Sequence, residues 1–157
     1  MKKPFLLIID GMTGAGKSTV ALLLSKQIPR VAVIGMDKVK RFISDFKRGE
    51  RDNSIAREII FEMTKIYLDH DISVIIDQSF KSDAELKRYE HIAHTHKLPI
   101  YKIQLFTTPP LAFKRVIHRQ QDWSDKIPVK RIKRNISLFK SREKEGFIVI
   151  DTSKILS

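Results

Sequence analysis

Nine consecutive residues, Gly11-Met12-Thr13-Gly14-Ala15-Gly16-Lys17-Ser18-Thr19, fit the pattern G-x-x-x-x-G-K-[ST]. Each residue type at its place has a task in holding a polyphosphate. The glycines let the backbone turn tightly and aim its N–H groups inward at anionic oxygens. A helix opening near Lys17 adds the positive end of its dipole. The Lys17 ammonium reaches the β- and γ-phosphates, and the Ser18 hydroxyl offers a hard oxygen to Mg²⁺. Gly11, Thr13, Gly14, Ala15, Gly16, Lys17, Ser18 and Thr19 are therefore the expected binding residues for ATP, with magnesium as its companion. A glycine-rich strand–helix turn without a ligand is the competing explanation. Context disfavours it, because the motif follows an apolar run and opens an amphipathic stretch.

Phosphoryl transfer also asks for carboxylates and extra cations. Asp77 closes the hydrophobic run Val74-Ile75-Ile76, where an acid can hold a magnesium water beside Ser18, face the acceptor, or fix an arginine. Asp37 follows Val31-Ala32-Val33-Ile34-Gly35-Met36 and is the expected general base toward an acceptor hydroxyl. Asp is also a favoured helix N-cap, so Asp37 is expected to cap a helix over Lys38–Phe46 as well. Arg115 and Arg119 are four apart and share a helix face. Their guanidinium forks suit the charge spread over a transferring phosphoryl group.

These residues need a frame. Five short runs rich in Ile, Val, Leu and Phe read as strands buried on both faces: Phe5–Ile9, Val31–Ile34, Ser73–Ile76, Ile100–Phe106 and Phe147–Ile150. Helical stretches alternate with them: Lys17–Gln27, a helix capped by Asn53 or Ser54, Asp83–His96, Pro110–Gln120 and Pro128–Arg142. The pattern predicts a three-layer α/β domain over 1–157. Polar Gln121–Ile127, with Trp123, is the expected core of a lid over about 119–131. Trp123 suits stacking on a base and covering a small lid core equally well.

Composition sets bounds. A 42% hydrophobic, 31% charged chain of 157 residues folds rather than staying disordered. There is no cysteine, hence no disulfide framework and no thiolate metal site. No leader-like segment or membrane-length apolar run is evident, and a cytoplasmic setting is expected. The net charge of +12 is uneven: Leu111–Glu145 carries eleven Lys/Arg against four Asp/Glu. Such a surplus suits a polyanionic partner, although a solvated lysine-rich surface explains many basic chains. His91, His94 and His96 do not share one helical face, and no metal site is expected there.

The order of these features resembles the 5′-kinase domain of bacteriophage-type polynucleotide kinases, within the small P-loop kinase group that includes zeta toxins. The resemblance runs over nearly the whole chain. It rests on Asp37 after the second strand, Val74-Ile75-Ile76-Asp77-Gln78-Ser79-Phe80, Phe113-Lys114-Arg115 with Arg119 following, and Ile127-Pro128 before a basic helix. It implies a P-loop fold with a parallel sheet in the order 2-3-1-4-5, ATP and Mg²⁺, and phosphorylation of a nucleic-acid 5′-hydroxyl. Asp37 would be the base, and Arg115 and Arg119 would serve ATP and the transition state. The family places an Arg for the acceptor phosphate three residues after the base, where this chain has Lys40, then Arg41. It also lays the backbone after the last strand, here Ile150-Asp151-Thr152-Ser153, against adenine. Two other readings fit the same residues: a kinase of a small molecule or nucleoside, and a nucleotide-binding module without transferase activity.

Overall fold

The structure, a computed structural model, describes residues 3–154; the outermost positions of the expected 1–157 domain lie outside the described residues. Its elements follow in the order β1 (Leu6–Gly11), α1 (Lys17–Ser25), β2 (Val31–Gly35), α2 (Met36–Lys40), α3 (Glu50–Asp69), β3 (Ser73–Asp77), α4 (Asp83–Thr95), β4 (Ile100–Phe106), α5 (Pro109–Arg119), α6 (Val129–Ser137) and β5 (Ile148–Asp151). The strands form one parallel sheet in the order β2-β3-β1-β4-β5. This is the P-loop kinase arrangement expected above.

Strand residues alternate between two cores, as a period of two requires. Leu6, Ile8, Val74 and Ile76 face one core with Ile60 and Leu68 of α3 and Tyr89 and Ile92 of α4. Leu7, Ile9, Ile75 and Leu105 face the other with Ala21 of α1, Ala112 and Val116 of α5, and Ile132 and Ile136 of α6. All six residues of β1 are buried, which accounts for its unbroken apolar run. Register aligns the strand ends: Ile9 pairs with Asp77, Gly35 with Asp77, and Gly11 with Leu105. The carboxyl ends of β1, β2 and β3 therefore open on a common crevice.

Three local expectations are corrected. Asp37 does not cap its helix. Gly35 holds that position in extended geometry, and Asp37 lies inside the first turn of a five-residue helix that stops at Lys40, not Phe46. α3 begins at Glu50 rather than at an Asn53 or Ser54 cap, since Gly49 turns the chain and the Asp52 carboxylate accepts from the Lys47 N–H at 2.6 Å. α6 ends at Ser137, well short of Arg142. Beyond it Phe139 stacks on Phe106 with centroids 6.0 Å apart, and the Lys140 carbonyl accepts from the Gln104 amide at 2.9 Å. Tertiary contacts there outweigh local helix propensity.

Candidate active site

The phosphate loop is shaped by close backbone approach. Gly14 has φ +81°, and a Cβ there would lie 2.4 Å from the Ala112 carbonyl oxygen of α5. Gly11 has φ +143°, with Leu105 backbone atoms in the same relation. Only glycine fits both demands. Gly14→Ala should displace the loop from α5 and abolish measurable ATP binding in a calorimetric titration; affinity within about threefold of wild type would show that the loop tolerates the shift.

Lys17 opens α1 and folds its ammonium into the loop, donating to the carbonyls of Gly11 at 3.0 Å and Met12 at 3.2 Å. Burial lowers its pKa, opposed by the charges of Asp77, Asp10 and Asp37. The Ser18 hydroxyl, one residue on, donates to the Asp77 carboxylate at 2.6 Å. Hydroxyl and carboxylate together make an all-oxygen pair of the kind Mg²⁺ takes alongside phosphate and water, so the residues present fit that ion. Thr13 and Gly16 complete the loop, Ala15 is buried at its centre, and Thr19 is exposed on the first turn of α1.

The two acids are driven in opposite directions. Burial pushes the Asp77 carboxyl above the ordinary value, against its hydrogen bond from Ser18 and the charge of Lys17. At Asp37 desolvation also pushes upward, but Lys40, Arg119 and Lys17 together outweigh it and hold the carboxyl low. Asp37 is 61% exposed and lies 3.3 Å from the Lys40 ammonium. Both acids therefore feel Lys17 and Arg119, although one comes from the first turn of α2 and the other from the end of β3.

Asp77 supplies a test with a defined sign. A carboxyl raised on folding favours the fold while protonated. That contribution is complete below the unfolded value of about 3.9 and lost as pH rises through the folded value. Asp77→Asn should therefore melt higher than wild type near neutral pH, with the gain vanishing below about pH 3.9. It should also lose the extra stabilisation that Mg²⁺ adds to ATP. An unchanged melting point at neutral pH would contradict the burial cost.

The arginines separate. Arg119 is the one whose charge acts on Lys17, Asp37 and Asp77, and it lies over the Trp123 ring at 5.6 Å. Arg41 covers Trp123 as well, at 4.8 Å. The indole thus meets one cation from the segment after α2 and one from the end of α5. Arg115 is anchored elsewhere, donating to the Thr152 hydroxyl at 3.2 Å and carbonyl at 3.1 Å. The Thr152 hydroxyl in turn donates to the Ala15 carbonyl at 2.7 Å, so the segment after β5 is tied to the phosphate loop.

Two polar networks at the site were not foreseen from sequence. Asp10, 4% exposed beneath the loop, accepts from the Arg142 Nε at 3.0 Å, the Phe80 N–H at 3.2 Å and the Gln104 amide at 3.4 Å. Arg142 also donates to Asp83 and to the Phe80 carbonyl, both at 3.1 Å. Behind Asp77, the Gln78 amide donates to Glu85 at 2.9 Å, and Glu85 pairs with Arg57 at 2.7 Å. Ser79 closes that wall by donating to the Gly11 carbonyl at 3.2 Å. An acid just before a phosphate loop was a usable signal; its distant arginine partner was not. His96, by contrast, pairs with Asp69 at 2.6 Å, which raises its pKa. Among the described residues no helix is long and apolar enough to cross a membrane.

The chain is similar to several known proteins. A UPF0200 protein of Saccharolobus islandicus is 26% identical over 126 residues, covering 72% of this chain; the chain spans only 63% of that relative's length. The structure of the Pnkp1/Rnl/Hen1 RNA repair complex aligns with TM-score 0.72 and 20% identity, over 87% of this chain and 44% of that one. A gluconokinase from Sinorhizobium meliloti aligns with TM-score 0.68 and 14% identity, over 98% of this chain and 86% of the other. At such identities these two likenesses speak for the fold alone. A family model for the AAA domain, AAA_33, matches residues 6–141, which hold the phosphate loop and four of the five strands, and the chain belongs to that family of P-loop kinase folds.

Proposed function

We propose that the protein transfers the γ-phosphate of ATP to an acceptor hydroxyl, and that the acceptor is a polynucleotide 5′-OH. The observation that carries this is the meeting of an ionised, solvent-reachable Asp37 with Lys17, Asp77 and Arg119 at the ends of β1, β2 and β3. A module that only bound nucleotide would have no use for a carboxylate held low across from the phosphate loop.

In this mechanism the loop N–H groups and Lys17 grip the phosphates; Ser18 and Asp77 would hold Mg²⁺, which would supply charge compensation for the phosphates. Asp37 orients the acceptor hydroxyl and takes its proton as the new P–O bond forms and ADP departs. Its low pKa makes positioning the larger part of that task, as a loose phosphoryl-transfer transition state allows. Arg119 adds a fork to the transferring group. Arg115 and the Thr152 backbone form a wall suited to adenine. Lys40 is occupied by Asp37, so the exposed Arg41 serves the acceptor phosphate instead.

A small-molecule acceptor is the second reading. The cleft between segments 41–48 and 124–128 has a volume of about 650 Å³, within the range of small-ligand sites. Labelled γ-phosphate offered with 5′-OH oligonucleotides, nucleosides and sugar acids decides between the two. Label on oligonucleotides, weakening steeply as salt rises, supports the first. Label on a small molecule alone overturns it.

A further inference from the structure

Cations from two distant stretches of sequence meet beside the site. The Arg48 guanidinium donates to the Asp125 carbonyl at 2.8 Å, and Arg131 in the first turn of α6 donates to the Arg48 carbonyl at 3.3 Å. The cleft between them is lined by Arg41, Phe46, Lys47, Arg48 and Lys126 against Asp45 and Asp125. Positive charge continues outward from there, since residues 127–141 hold five Lys/Arg and no carboxylate. α6 buries Ile132 and Ile136 and turns Lys130, Arg131, Lys133 and Arg134 to solvent. Lys133 leans over Phe113 of α5 at 5.7 Å, away from the cleft. Arg131 and Arg134, three apart, share the side that continues from Arg48.

Flat groups accompany the charge. Arg41 and Arg48 lie 5.3 and 5.5 Å from the centre of the Phe46 ring. Phe42, next to Arg41, is 69% exposed. Arg48 is half-buried and pairs with the Asp125 carboxylate at 3.1 Å, so the exposed planes are the Phe42 ring and the Arg41 guanidinium; beside the basic face of α6 they suit a strand whose phosphates seek charge and whose unpaired bases seek stacking partners. A phospholipid surface would meet a convex face, whereas this strip starts in a cleft.

Resting on the proposed 5′-hydroxyl reading, we infer that the strip from Arg41 and Phe42 through Arg48 to Arg131 and Arg134 is a track for single-stranded polynucleotide. It carries the acceptor strand away from its 5′ end. α6 is roughly 13 Å long, so with the cleft it spans more than one nucleotide of an extended strand. The protein should therefore prefer acceptors several nucleotides long.

Anisotropy of labelled 5′-OH oligonucleotides tests this on the whole chain. A strand of about twelve nucleotides should bind at least about tenfold tighter than a dinucleotide at low salt. Arg131→Ala/Arg134→Ala should erase most of that gain and flatten the logarithmic salt slope by about 1.4, leaving phosphorylation of the dinucleotide unchanged. Equal affinity for long and short strands overturns the track, as does an unchanged slope in the double variant. Tighter binding to phosphatidylserine vesicles than to oligonucleotide overturns it too. Length-dependent binding with no label transferred to any 5′-OH would uphold the track while discarding the acceptor reading.

Discussion

Asp37→Asn should slow turnover by about 10²-fold or more while ATP affinity stays close to wild type. The amide keeps the size of the side chain and one oxygen that can accept from a hydroxyl, but it cannot take the proton. It also removes the charge that Lys40, Arg119 and Lys17 all face, so those cations lose a shared partner. Asp37 lies across the crevice from the loop, in the first turn of α2, and nucleotide binding should not notice the change. Lys17→Ala should differ in kind, impairing ATP affinity and turnover together because its ammonium sits within the loop itself. Single-turnover rates beside a binding isotherm separate the two effects. Turnover near wild type in Asp37→Asn would remove the base role.

Arg142→Ala should destabilise the fold by about 3 kcal/mol, the low end of the range for removing one partner of a buried ion pair. Arg142 is 14% exposed, and its loss strands the buried Asp10 carboxylate beneath the phosphate loop. The Phe80 N–H and Gln104 amide remain as donors to Asp10, which places the cost at the lower end. The same guanidinium joins the start of α4 and the segment after α6, so its removal loosens three parts of the chain together. Chemical denaturation with a two-state fit reads the change directly. Arg142→Lys, which keeps charge but not the fork, should fall between the two. A loss below about 1 kcal/mol would mean that water replaces the arginine without penalty.

Much of the frame was legible because strand burial leaves a strong trace. Val74-Ile75-Ile76 and Phe5–Ile9 lie between helical layers and are apolar on both faces, so their runs stand out and their order follows from the connections. The phosphate loop was legible for a similar reason: its backbone conformations at Gly11 and Gly14 admit one residue type. Helix ends were less so. α2 stops after Lys40 although the sequence continues without a breaker, and α6 stops so that Phe139 and Lys140 can meet Phe106 and Gln104. Both endings depend on partners far along the chain. At the candidate site, Asp37 and Asp77 stood out in the sequence because each follows an apolar strand run. Which arginine lies near Lys17, Asp37 and Asp77 was not legible, because Arg115 and Arg119 share a helix face and their separate settings, Thr152 for one and Trp123 for the other, come from distant parts of the fold.

The chain has one tryptophan, and both Arg41 and Arg119 lie against its indole. Its emission is therefore dominated by a single spot, where residues from the segment after α2 and from α5 meet the ring. Cations against an indole face alter its fluorescence, so any motion parting those guanidiniums is visible optically without attaching a dye. Stopped-flow mixing of unlabelled protein with nucleotide, or with acceptor, then gives the speed of any rearrangement around that ring apart from the speed of bond making.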